Sequence, residues 1–94
     1  MKCFAIYKLT HRDTMYSSPQ FDAPDFETNG KTLTVEQSDA VKSAAIAALC
    51  ENSYKIEADS AVAPRSRARI RKEFDSDILA VYTTSRAAPL WEKT

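Results

Sequence analysis

Glycine is nearly absent from this 94-residue chain, and Gly30 is its single representative. The Walker loop and the dinucleotide fingerprint both need several glycines so that backbone can approach phosphate closely, and both are excluded. Histidine also occurs once, as His11, and cysteine twice, as Cys3 and Cys50, far apart and without a CxxC partner. A zinc site cannot be assembled from that set, and the cysteines read as small buried hydrophobes in a reducing compartment. His11 lies beside Arg12-Asp13, yet a general base needs a nucleophile and an orienting group, and the sequence supplies no such constellation. The expectation is a protein without catalysis, metal or cofactor. No apolar run approaches the roughly 20 residues of a membrane span, and Met1-Lys2 leads straight into Cys3-Phe-Ala-Ile-Tyr7 without a signal-peptide layout. This predicts a soluble, cytoplasmic protein with no membrane partner.

What is present is an ordinary globular balance, with 44% hydrophobic and 28% charged residues. The length suits one domain, residues 1–94, with one modest core. Residues 2–9 fit a strand, with Cys3, Ala5, Tyr7 and Leu9 on one side and Phe4 and Ile6 between two lysines on the other. Residues 10–28 show no period, and Pro19 and Pro24 break any helix there. So long a structureless stretch has to be functional or pinned by its apolar residues Met15, Tyr16, Phe21 and Phe26. We expect Phe21 and Phe26 to be buried over the sheet face away from the helix. Asn29-Gly30 is the strongest turn signal, because both residues tolerate positive φ, and residues 31–36 alternate as a strand after it.

Residues 39–51 are the one long run of strong helix formers, with Thr34 or Ser38 available as a cap and Asn52 as a stop. Val41, Ala44, Ala45, Ala48 and Leu49 form one stripe, mostly alanine, which lets a helix sit close on a sheet. Residues 53–58 suggest a short strand, and 78–84 a clear one rich in β-branched and aromatic residues. Pro89, Leu90 and Trp91 are expected to dock on the sheet. The resulting class is α+β: a small, mainly antiparallel sheet in the order strand-strand-helix-strand-strand, with one main α-helix packed on one face. Its two faces are both partly apolar, so residues 10–28 or a second copy must cover the outer one, and monomer and homodimer both remain open.

Charge is zero in sum but uneven. Residues 1–63 carry six basic and nine acidic side chains, a balance of −3, and residues 64–94 carry seven and four, a balance of +3. Five of those seven are Arg65, Arg67, Arg69, Arg71 and Lys72. Period two fits every residue of this segment, which favours a strand with the arginines in one row, turned back by Asp75–Asp77. The good helix propensity of arginine and alanine keeps a helix as the alternative. The row, with Arg86 beyond it, is the candidate partner-binding or nucleic-acid-binding site, since guanidinium groups grip phosphate oxygens two at a time. The other readings are an acidic protein surface, or internal pairing with Asp22, Asp25 or Glu27. The marks of strong RNA readers are missing: the sequence shows no glycine-flanked loop and no aromatic pair on adjacent strands.

Taken in order, residues 2–9, Asn29-Gly-Lys-Thr-Leu-Thr-Val-Glu-Gln-Ser38, the alanine-rich helix, Ala68-Arg-Ile-Arg-Lys-Glu-Phe74, Asp75-Ser-Asp-Ile-Leu-Ala-Val-Tyr82 and the late Trp91 follow a recognisable plan. In this order of elements the chain resembles small phage-encoded anti-CRISPR proteins, inhibitors of the type I-F surveillance complex built as strand, strand, helix, strand, strand. Residues 10–28 and 53–64 stand outside the pattern as insertions. The resemblance implies a non-enzymatic blocker in the bacterial cytoplasm that docks on the Cascade-like CRISPR-Cas surveillance complex. Its partners there would be the Cas backbone subunits, with guide RNA within reach, and the effect would be to stop target DNA from hybridising. The competing expectation is a small phage or plasmid nucleic-acid-binding module, in which the same arginines track a phosphate backbone.

Overall fold

The computed structural model describes residues 1–9, 13–25, 33–60, 63, 65–84 and 88–93. Their elements follow the order β1 (Lys2–Lys8), β2 (Met15–Ser17), β3 (Phe21–Asp22), α1 (Val35–Ala58), α2 (Arg67–Asp77), β4 (Ile78–Thr83) and β5 (Trp91–Glu92). The class is α+β, with a wholly antiparallel sheet in the order β2-β1-β4-β5 and one long helix packed on one face. Relative to the expected order, a third strand precedes the long helix and a second, shorter helix follows it.

β1 and β4 form the centre because both alternate. Cys3 and Ala5 point inward opposite Thr83 and Val81, and Phe4 and Ile6 point outward opposite Tyr82 and Ala80. β2 and β3 share one edge of β1, pairing Ile6–Lys8 and Lys2–Cys3 respectively, so residues 15–22 form one interrupted strand rather than a cover. Pro19 cannot donate to a ladder, and Ser18 bridges the gap. The Ser18 amide donates to the Ala5 carbonyl at 2.8 Å, and the Ala5 amide donates to Ser18 Oγ at 2.8 Å. Ser18→Ala leaves the buried Ala5 amide without that acceptor and is expected to cost about 1–3 kcal/mol. Faster hydrogen exchange at Ala5 than in the wild type would report it, and an unchanged rate would show that the backbone re-pairs without Ser18.

The start of α1 is set by a capping box: the Gln37 amide donates to Thr34 Oγ1 at 3.1 Å, and the Thr34 amide donates to Gln37 Oε1 at 3.0 Å. Val35 and Glu36 are therefore helical, and the expected strand over 31–36 is corrected there; the Asn29-Gly30 turn lies outside the described residues. The predicted stripe is the face that α1 buries, with Val41, Ala45 and Leu49 joined by Ile46 and Cys50. Asn52 does not end the helix, and 53–58 is not a strand. Tyr54 packs against the core and Glu57 takes an ion pair, which carry α1 to Ala58.

The largest correction is α2. Residues 67–77 are helical, so neither the arginine strand nor the Asp75–Asp77 hairpin forms. Ser66 caps the helix, its Oγ accepting from the Arg69 amide at 3.3 Å. Ile70 and Phe74, four residues apart, are buried, and this apolar pair decides between two periods that the charged residues leave balanced. β4 follows α2 directly and pairs with β1 instead of folding back on the arginines. The tail docks as expected, with Leu90 buried and Trp91 paired to Val81. Phe21 is also buried, but inward beside Leu49, and not on the outer face; Phe26 lies outside the described residues.

Candidate functional site: the arginine helix

α2 runs back along α1, and ion pairs fasten both of its ends. Near its start Arg65 Nε donates to Glu57 Oε1 at 2.8 Å and Arg65 Nη1 donates to Glu73, while Arg67 Nε donates to Glu51 Oε1 at 2.8 Å. The Arg67 guanidinium also lies 3.9 Å from the Tyr54 ring centroid. At the other end Lys42 Nζ meets Asp75 at 2.9 Å and sits 5.0 Å from the Trp91 ring. The bonds to Glu57 and Glu73 push the Arg65 pKa up, and the bond to Glu51 does the same for Arg67, so both remain cationic at any working pH.

The five basic residues of the stripe thus divide. Arg65 and Arg67 are internal fasteners, but their acids are Glu51, Glu57 and Glu73. The expected acidic partners are engaged elsewhere, Asp22 with Lys2 at 2.9 Å and Asp25 with the N-terminal amine at 2.7 Å, while Glu27 lies outside the described residues. Its hydrogen bond from Lys2 holds the Asp22 carboxyl below the usual carboxylate range. Arg69 is exposed, 4.0 Å from Glu73. Arg71 and Lys72 are exposed, and among the described residues neither has a carboxylate partner. Arg86 lies outside the described residues.

The placement of these charges opposes the helix. α2 has no acid in its first turn and no base in its last, the reverse of what its macrodipole favours. Glu51 and Glu57, supplied by α1, compensate at the start of α2 through Arg67 and Arg65. Among the described residues no carboxylate faces Arg71 or Lys72 in this way.

Other sequence candidates carry less. Cys3 is fully buried, and burial raises its thiol pKa, the opposite of an activated nucleophile; Cys50 is buried and donates to the Arg67 carbonyl at 3.5 Å. His11 and Arg12 lie outside the described residues, and among the described residues no three metal-ligating side chains converge. Also among the described residues, no helix is long and apolar enough to cross a membrane. The expectation of no aromatic pair on adjacent strands is corrected: Phe4 of β1 stacks on Tyr82 of β4, their ring centroids 5.7 Å apart and planes 17° from parallel. Only the pairing of β1 with β4 brings together residues so distant in sequence.

The chain matches no protein-family model, and no curated protein and no solved structure matches it.

Proposed function

We propose that this chain works by binding rather than by catalysis, as an inhibitor of the anti-CRISPR kind. It docks on a type I-F surveillance complex in the bacterial cytoplasm, at the Cas backbone subunits and within reach of the guide RNA, and blocks target DNA recognition. The resemblance in the order of sequence segments supplies the target, and the arginine segment that this plan expects as a strand is helical. The observation that supports a binding role is the exposed part of α2: Arg71 and Lys72 have no carboxylate partner among the described residues, and the helix dipole does not favour cations in the first half of α2. Internal pairing accounts for Arg65 and Arg67 and leaves these two, with Arg69, facing solvent as a cationic patch suited to phosphate or to an acidic protein surface.

The test is a purified type I-F complex challenged with target DNA in the presence of the wild-type chain and of Arg71→Glu with Lys72→Glu. The wild type is expected to bind the complex and prevent target hybridisation. The double reversal is expected to weaken binding at least about tenfold while changing fold stability by less than about 1 kcal/mol, since both positions are surface charges. If the complex ignores the wild-type chain and unrelated DNA and RNA are bound instead, the nucleic-acid-module reading replaces this one. Log affinity would then fall with log salt by roughly 0.7–0.9 per phosphate contact. Binding to neither overturns both.

A further inference from the structure

A shallow groove of about 310 Å³ lies where the start of α1 meets β5. Leu33 and Val35 line it from the α1 side, and Pro89, Trp91 and the buried Leu90 line it from the tail. Val35 is 78% exposed, and Leu33, Pro89 and Trp91 are half-buried, so the groove offers a contiguous apolar surface to solvent. Its two sides are tied: Ser38 Oγ donates to the Leu90 carbonyl at 3.3 Å, and Lys42, paired with Asp75, sits over the Trp91 ring. The charged residues of the lining are both acidic, Asp39 and Glu92. Both are exposed, and among the described residues neither carboxylate has an ion pair or a hydrogen bond. Lys42 and Lys93 do not neutralise them, since one is held by Asp75 and the other donates to the Ser76 carbonyl. The α1 macrodipole accounts for Glu36 in the first turn, but Asp39 lies beyond that turn and Glu92 lies on a strand.

We propose that this groove docks an extended, cationic segment of a partner protein, in which an apolar side chain fills the groove and flanking lysines or arginines meet Asp39 and Glu92. Charge complementarity selects this occupant, because two unpaired carboxylates beside an apolar floor attract a cation and repel phosphate. The sheet edge suits an extended chain. β5 ends the strand order β2-β1-β4-β5, and the Lys93 amide donates to the Leu79 carbonyl at 2.8 Å. Alternation along an antiparallel ladder then turns the amide and carbonyl of Glu92, the preceding residue, toward the open edge, where an added strand can pair with them. The ties through Ser38 and Lys42 hold the groove formed before the partner arrives, which lowers the cost of binding. None of its lining belongs to α2, so this docking site stands or falls independently of the cationic patch and of the proposed inhibitor role.

Trp91 is the single tryptophan of the chain and lines the groove, so its fluorescence reports occupancy directly. The full chain is titrated at low salt with an end-blocked peptide of alternating lysine and valine, and separately with peptides of alternating glutamate and valine and of alternating lysine and glycine. A saturable change in Trp91 emission is expected with the lysine–valine peptide, none with the glutamate–valine peptide, and weaker binding of the lysine–glycine peptide. Asp39→Asn combined with Glu92→Gln is expected to weaken the lysine–valine peptide at least about tenfold at an unchanged melting midpoint, both side chains being exposed. The wild-type titrations need no variant. No saturable response to the lysine–valine peptide would overturn the proposal, as would an equal response to the glutamate–valine peptide or wild-type affinity in the double variant. Equal binding of the lysine–glycine peptide would overturn it too, since the apolar groove would then play no part. So would emission that shifts with an oligothymidylate, which makes the site a nucleic-acid contact, or with protein concentration alone, which puts another copy of the chain there.

Discussion

Ile70→Ala is expected to destabilise the protein by about 3–4 kcal/mol, within the range for truncating a fully buried isoleucine. Ile70 is 0% exposed and, with Phe74, is what α2 inserts into the core; Phe74 in turn meets the Tyr7 ring edge-on at 5.6 Å. The ion pairs that fasten α2 are exposed or half-exposed and contribute little to stability, so they do not compensate for that cavity. For a small domain the loss is a large share of total stability, and a urea melt should show the midpoint moving with little change in slope. The cationic patch is carried on the same helix, so partner binding should fall with it, but as a stability effect that lower temperature restores. A cost under about 1 kcal/mol would mean that α2 does not dock through Ile70.

Phe21→Ala is expected to cost a similar amount, about 3–5 kcal/mol, although its strand is only two residues long. Phe21 is 9% exposed, paired across β1 to Cys3 and part of the same core as Leu49 and Cys50. Phe21 is the side chain through which this two-residue strand enters the core; its other ties are polar, with Ser18 bridging one gap, the Ala23 amide donating to the Met1 carbonyl at 2.9 Å, and exposed ion pairs at Asp22 and Asp25. Removing the ring should therefore release the edge as a unit. Amide exchange of residues 18–23 should rise faster than that of β4, and wild-type protection in the variant would show that the backbone ladder alone holds this edge.

Where composition and period agreed, the sequence was a sufficient guide. The strands around Phe4 and Val81, the alanine stripe of α1, the cap at Thr34 and the docking of Leu90 with Trp91 all follow from local rules, and so does the α+β class. The outcome differed where two local signals competed. Arg65–Lys72 satisfies a period of two through its charges and a period near four through Ile70 and Phe74, and charges that can stay in water have no power to choose between them. Residues 53–58 differ from expectation for another reason: their helical state is supported by Tyr54 and Glu57 meeting Arg67 and Arg65, contacts between segments that the sequence does not mark as neighbours.

The sequence by itself determined which residues are available to a function: a cationic segment, few glycines, and two cysteines with one histidine that make no zinc site. It also determined that both sheet faces would be partly apolar. Only the tertiary structure decided which cations are consumed and which are left over. Burying Ile70 and Phe74 turned the row of arginines around a helix, brought Arg65 and Arg67 against the acids of α1 and left Arg71 and Lys72 in solvent. It likewise decided that residues 15–22 do not lie over the outer face, since the Ser18 bridge holds them in the plane of the sheet. The physical reason is the same in both cases. Burial of a few apolar side chains fixes the backbone, and the polar groups then take whatever partners that backbone brings within reach.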